Sequence, residues 1–242
     1  MIQYIKNEFY KIRHEKFMVY ITMLSLVPFM MNGINFYIND DNLSLKNGLY
    51  FRLYNQYLML LPIITSVIAA SLFYMEYTNR TLLAWLSYDK NKFKLFNSKV
   101  LAFLLISLQL MLVNLFIIII FYAFNNAGLL TLGRISLSFI SLNIFIIVSV
   151  GAFTLFIINM TKNIIISFTA GIVFTIISMI LIAAPFSYLL PATLGYRIGH
   201  LLLDSSFYYD KPLIHTLTGF LITVITTLSL YFLAYKKFKI HE

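Results

Sequence analysis

Residues 100–124 read VLAFLLISLQLMLVNLFIIIIFYAF, with no charged residue, no proline and no glycine. A helix needs about 20 apolar residues to cross the hydrocarbon core of a bilayer, so this run is long enough to span. It is too long and too evenly apolar for a strand or for one face of a soluble helix. Stretches of the same kind recur on both sides, at about 17–33, 54–75, 135–158, 164–184 and 213–235. None holds an Asp, Glu, Lys or Arg. Pro28 and Pro62 fall inside the first two and are expected to kink them. Asp40-Asp41 marks a turn, and Asn125-Asn126-Ala127-Gly128 breaks the chain after Phe124. Residues 159–163 make a tight turn too short to hold a domain. Asp210 is a candidate cap, and Pro212 suits the first turn of the last span. The expected fold is all-α: a polytopic membrane protein with six transmembrane helices in a single domain, residues 1–242.

Composition agrees. Of the 242 residues, 60% are hydrophobic and 11% charged, against about 25% charged in a soluble domain, and the mean hydropathy is +0.85. There is no cysteine, so no disulfide, thiol or zinc-thiolate chemistry can be written. The net charge of +9 is best read as cations flanking the spans and meeting anionic headgroups; a nucleic-acid partner is not expected. No small-residue cleavage site follows the charged start of the chain, so no cleavable signal is expected. With six spans, 13 Lys and Arg fall on the side that carries both termini and 5 on the other. The positive-inside rule then places both termini in the cytoplasm. Abundant Ile, Asn, Lys, Phe and Tyr suggest an AT-rich bacterial genome, hence a multi-pass protein of the bacterial cell membrane.

Two segments outside the spans carry most of the information. Residues 1–16 place Ile2, Ile5, Phe9 and Ile12 at spacings of three and four, with Lys6, Glu8, Lys11, Arg13, Glu15 and Lys16 around them. This pattern predicts an amphipathic helix lying in the headgroup plane. Residues 76–99, EYTNRTLLAWLSYDKNKFKLFNSK, are charged yet lack turn clusters. They read as a short helix capped by Thr78 or Asn79, a break, and a second basic helix capped by Asp89 that runs into residue 100. Thr81, Leu82, Leu83, Trp85 and Leu86 give the first of these an apolar, aromatic body, suited to a membrane surface or to a groove on another protein.

A span ending Phe73-Tyr74-Met75-Glu76, followed by Arg80-Thr81-Leu82-Leu83 and a basic helix entering the next span, resembles the ABC-2-type transporter permeases. There an acid is followed by a Gly-Thr-Leu or Arg-Thr-Leu step. The resemblance implies that residues 76–99 are a cytoplasmic coupling segment seated on a separate ATPase, with Glu76, Arg80, Thr81, Leu82, Trp85, Leu86, Tyr88 and Asp89 as its coupling residues. Where the family more often has a Ser-Pro or Thr-Pro step, this chain has Leu86-Ser87-Tyr88-Asp89. The N-terminal segment is similar to a connecting helix that borders the same ATPase. Residues 185–212 hold Tyr188, Tyr196, Arg197 and His200 in a stretch too polar for a span and too apolar for an ordinary loop. They resemble the short external helices that cover the exit in such exporters. A surface loop with one amphipathic turn is the simpler alternative.

Chemistry on the chain itself is sparse. No G-x-x-x-x-G-K-[ST] loop is present to cradle ATP phosphates. His14-Glu15 is not continued to H-E-x-x-H, and there is no G-x-S-x-G elbow. His14, His200, His215 and His241 stand near span ends, where structural roles are commoner than catalytic ones. Within the spans Ser107, Gln109, Asn114, Asn143, Ser149, Thr154, Ser167 and Thr169 are neutral and suit contacts between helices. Ser167 with Gly171, and Gly151 with Ala152, look like close-approach points. Lack of mid-membrane charge disfavours an ion-coupled carrier. The expectation is therefore a non-enzymatic permease subunit with no cofactor of its own. Its partners would be cytosolic ABC ATPase subunits carrying ATP-Mg, a second permease subunit, identical or related, and membrane lipid. The small size, the lack of a large external domain and the apolar spans look like the lantibiotic-immunity and phenol-soluble-modulin exporters, which points to an amphipathic peptide substrate; a narrow, neutral, aromatic interior suits such helices better than sugars or ions. An exporter of lipids or drugs, and a non-transporting membrane sensor or scaffold, are the alternatives.

Overall fold

The computed structural model describes residues 2–13, 15–78, 91–204, 206 and 208–238. Among them are eight α-helices: α1 (Ile2–Arg13), α2 (Lys16–Ile38), α3 (Leu49–Thr78), α4 (Lys92–Phe124), α5 (Leu129–Thr161), α6 (Ile164–Ile180), α7 (Pro191–Leu201) and α8 (Pro212–Lys237). Six of these, α2 to α6 and α8, are long and apolar enough to cross a membrane, α6 being prolonged by a 3-10 turn to Ala183. The protein is an all-α polytopic membrane protein with six spanning helices.

The helices extend past the apolar runs that announce them. Backbone hydrogen bonding does not stop where hydrophobicity does, so α3 continues through Glu76 to Thr78, and α4 begins at Lys92. Thr78 is thus the last described residue of α3; Asn79 and the short helix expected after it lie outside the described residues. Asn91 caps α4, its side chain accepting from the Lys94 amide at 3.1 Å; the expected cap, Asp89, lies outside the described residues. Lys211, not Asp210, is the N-cap of α8, and Pro212 stands in its first turn as expected. Asn163 caps α6 by accepting from the amides of Ile165 and Ile166. Just before it Lys162 ends α5 in the left-handed region, at φ 54°, so α5 and α6 reverse direction within two residues. Pro28 and Pro62 lie inside α2 and α3.

Helices α3 and α5 form the centre. They pack on each other, α3 also holding α2, α4 and α6, and α5 holding α4, α6, α7 and α8. One buried cluster, with Phe73, Phe96, Leu155 and Phe238, lies at the end bearing both termini. A second, with Tyr50, Tyr54, Tyr57, Tyr122 and Phe139, lies toward the opposite end. Glycine sets one of the central contacts: a Cβ at Gly171 of α6 would collide with the side chain of Ser66 on α3. Gly151 of α5 likewise faces the ring of Phe103 on α4, not a small residue. The outer faces expose Leu112, Phe116, Leu221, Ile225 and Phe232. A soluble monomer rarely exposes apolar surface on this scale, and in a bilayer it faces lipid.

Many polar groups inside the bundle pair with one another or with backbone, although Ser107 Oγ on α4 is buried without a hydrogen-bond partner. Tyr57 Oη donates to Asn114 Oδ1 at 2.6 Å, and Asn114 Nδ2 donates to Ser25 Oγ at 3.1 Å, which joins α2, α3 and α4. Ser66 and Thr154 pair hydroxyl to hydroxyl at 3.0 Å between α3 and α5. Asn143, Ser149, Ser167 and Thr169 instead bond to carbonyls one turn back on their own helices. Gln109 stands on an exposed face of α4.

Candidate functional site

Four charged side chains converge where α1, the end of α3 and the start of α4 meet. Lys99 Nζ lies 2.7 Å from Glu8 Oε2 and 2.9 Å from Glu76 Oε1. Lys11 Nζ lies 3.1 Å from Glu8 Oε1 and 2.5 Å from Glu76 Oε1. Lys99 is fully buried, Glu8 and Glu76 are 2% exposed, and only the Lys11 side chain reaches solvent, at 29%. Lys99 Nζ also lies 3.4 Å from the carbonyl of Leu72. Two carboxylates and two ammonium groups balance. Each ion has two partners of opposite sign, which is the condition under which buried charge is tolerated. Burial pushes the Lys11 ammonium down, but Glu8 and Glu76 outweigh it and hold its pKa above the ordinary lysine value.

The network corrects one residue of the reading of α1: Glu8, expected on the polar face, is buried, while Ile2 of the apolar face is 73% exposed, as a face meeting lipid would be. The inward stripe is Tyr4, Glu8 and Ile12 with Phe9 beside it, a spacing of four that brings a carboxylate against α4. Of the coupling residues expected from the sequence, Glu76 is at the heart of this cluster. Arg80, Thr81, Leu82, Trp85, Leu86, Tyr88 and Asp89 lie outside the described residues. What the sequence reading missed is that Lys11 and Lys99 are Glu76's partners and that both also pair with Glu8. The available signal was the Glu8–Lys11 pair at i,i+3 and a lysine and a glutamate set against the ends of apolar runs.

The four residues expected in an external lid fall into two contacts, Tyr196 with His200, and Tyr188 and Arg197 each on Tyr209. Helix α7 packs on α5 and α8. Tyr196 Oη donates to Asn55 Oδ1 at 2.6 Å, while its carbonyl accepts from Tyr54 Oη at 2.8 Å. The Arg197 guanidinium donates to the Ile182 carbonyl at 2.9 Å and lies 4.5 Å over the ring of Tyr209. Tyr188 stacks on His215 at 4.5 Å and meets Tyr209 edge-on. His200 is 1% exposed among the rings of Phe51, Tyr54 and Tyr196, and this burial lowers its pKa below the ordinary histidine value. Burial raises the Tyr196 phenol to about 12.

Among the described residues no group of three or more His, Cys, Asp or Glu could hold a metal ion. The profile of the ABC-2 family transporter protein matches residues 4–178, well over half of the chain. This chain belongs to the ABC-2 transporter family. The matched region of this ABC-2 permease contains all four members of the charge network and five of the six spanning helices up to Ser178. No curated protein and no solved structure matches the chain.

Proposed function

We propose that this ABC-2 permease is the transmembrane subunit of an ATP-driven exporter of amphipathic or antimicrobial-type peptides, serving export and self-protection. Two such subunits, identical or related, would work with two cytosolic ATPase subunits that carry ATP-Mg. Both termini would face the cytoplasm. The observation that carries the reading is the charge network. Residues 79–90 join α3 to α4, and Glu76 and Lys99 pin those helices to each other and to α1. A push on the 76–99 segment would therefore reach α3, at the centre of the bundle, along with α1 and α4. Such a rigid connection is what a rocking motion between inward and outward states requires. Arg80, Thr81, Leu82, Trp85, Leu86, Tyr88 and Asp89 would meet the ATPase.

The peptide substrate is supported by the interior. It offers tyrosine rings and neutral side chains such as Asn114 and Ser25, and the apolar runs themselves hold no Asp, Glu, Lys or Arg. Amphipathic helices suit such a lining better than sugars or ions do. At the far end α7, with Tyr188, Tyr196, Arg197 and His200, would cover the exit. The test is ATP hydrolysis by the permease–ATPase complex in proteoliposomes. An amphipathic helical peptide should stimulate hydrolysis, and a sugar or a charge-matched peptide scrambled to remove its apolar face should not. Equal stimulation by lipid or drug, with none by peptide, would overturn the substrate assignment.

A further inference from the structure

We propose that a single water molecule is bound in the middle of the bundle, where α3, α4 and α5 meet, and joins these three helices by hydrogen bonds. The observation that points to it is the Ser107 hydroxyl. Ser107 is 5% exposed, and its Oγ is buried with no hydrogen-bond partner. A helical serine or threonine has a ready alternative, the carbonyl one turn back. Ser149, Ser167, Thr175, Ser178 and Thr223 all take it; Ser107 does not. It stands eight residues beyond Lys99 on α4, a rise of about 12 Å. That depth is well inside a ~30 Å hydrocarbon core, where an unmade hydrogen bond is costly.

Ser107 lines a hollow of about 10 Å³, close to the space that one water molecule needs. Thr65 of α3 and Asn143 of α5 line it too, and both are buried. Asn143 Nδ2 donates to the Phe139 carbonyl at 2.8 Å, and its Oδ1 is an acceptor. Together the three residues offer two hydroxyls and an amide oxygen, within the two to four polar partners that a buried water requires. Two further polar neighbours are already joined, Tyr57 to Asn114 and Asn114 to Ser25. An alkali cation is a poorer fit. No residue lining the hollow is charged, so the ion would lie at mid-membrane among neutral oxygens with no carboxylate. A water can turn and remake its bonds when the helices shift, which a direct bond between side chains cannot. The site does not depend on what the permease transports.

The test is X-ray radiolysis of the full-length protein in lipid nanodiscs, read by mass spectrometry. X-rays split bound water in place, and the hydroxyl radical oxidises side chains within reach. Met111 lines the hollow and is 7% exposed. Met23 and Met59, close in sequence to Ser25 and Tyr57 of the same lining, stand on outer faces at 62% and 44% exposure. Met111 should be oxidised well ahead of both. Ser107→Val, which removes the hydroxyl and fills the hollow, should bring Met111 down to their level. Thr65→Val keeps the side-chain volume, so it reads the site even where the Ser107 variant folds poorly, and it should also slow Met111. Oxidation of Met111 no faster than that of Met23 and Met59 would show a dry hollow and overturn the proposal; so would oxidation that neither variant changes. Melting temperatures in sodium, potassium and choline chloride at equal ionic strength should coincide. A rise with sodium or potassium that Ser107→Val removes would show a cation in the site and would also overturn it.

Discussion

Lys99 is the residue on which the account turns at the smallest scale. Breaking a buried ion pair by removing one partner costs about 3–5 kcal/mol, because the remaining charge is stranded. Lys99→Met should cost that much, leaving Glu8 and Glu76 buried with Lys11 alone, and the loss should register as a lower melting temperature in detergent. The concerted variant Glu8→Leu, Lys11→Met, Glu76→Leu, Lys99→Met should melt near the wild type, since well-packed apolar replacements of such networks are often neutral or stabilising. His200 gives a residue-scale dependence on pH. Its folded-state pKa lies below the unfolded value, so the unfolded chain binds the proton more readily. Its contribution to stability is therefore present above the ordinary histidine value and lost as pH falls through and below about 6.5. Asp204, whose hydrogen bonds from Ser206 lower its pKa below 3.8, responds only at more acid pH. Melting temperatures between pH 7.5 and 5 should fall for the wild type and stay flatter for His200→Gln.

At the scale of elements, the close contact of α3 with α6 rests on Gly171 facing Ser66. Gly171→Val should force the helices apart and destabilise the protein by about 1–3 kcal/mol; Ser66→Gly in the same chain should recover part of the loss, as a double-mutant cycle would show. The spanning helices were legible because each is announced by an uncharged run of bilayer length. Their ends were not. Glu76 and Lys99 sit inside α3 and α4, beyond the limits of hydrophobicity, and are kept there by partners far away in sequence. Glu8 to Lys99 spans 91 residues, and Lys11 to Glu76 spans 65. Nothing local in residues 1–16 says that a carboxylate belongs on the inward face, which is why periodicity left Glu8 among the polar residues. The caps went astray for a related reason. Asp89 and Asp210 have the right chemistry, but α4 takes Asn91 and α8 takes Lys211, each within two residues of the expected position. Gly171 was recognisable as a close-approach residue, although its partner on α3 was not.

For the whole molecule, the ABC-2 membership and the geometry of the network lead to one arrangement. In the proposed arrangement the 76–99 segment would receive the ATPase, α1 would brace it through Glu8 and Lys11, and the central pair α3 and α5 would carry the motion to an exit under α7. Deleting residues 2–13 should leave a permease that inserts and spans but whose ATPase partner no longer responds to peptide, since Glu76 and Lys99 then lose the side chains that tie them to α1. The measurement that tests the central claim most directly is co-purification in mild detergent with whatever ABC ATPase is encoded beside this gene. It compares the wild type with Arg80→Glu, Trp85→Ala, which reverses charge and removes the aromatic body of the segment while leaving Glu8, Lys11, Glu76 and Lys99 in place. The account predicts that the wild type retains the ATPase at one subunit per permease, and that the double variant loses it while its melting temperature and monodispersity are unchanged. Retention of the ATPase at the same stoichiometry by the double variant would contradict it.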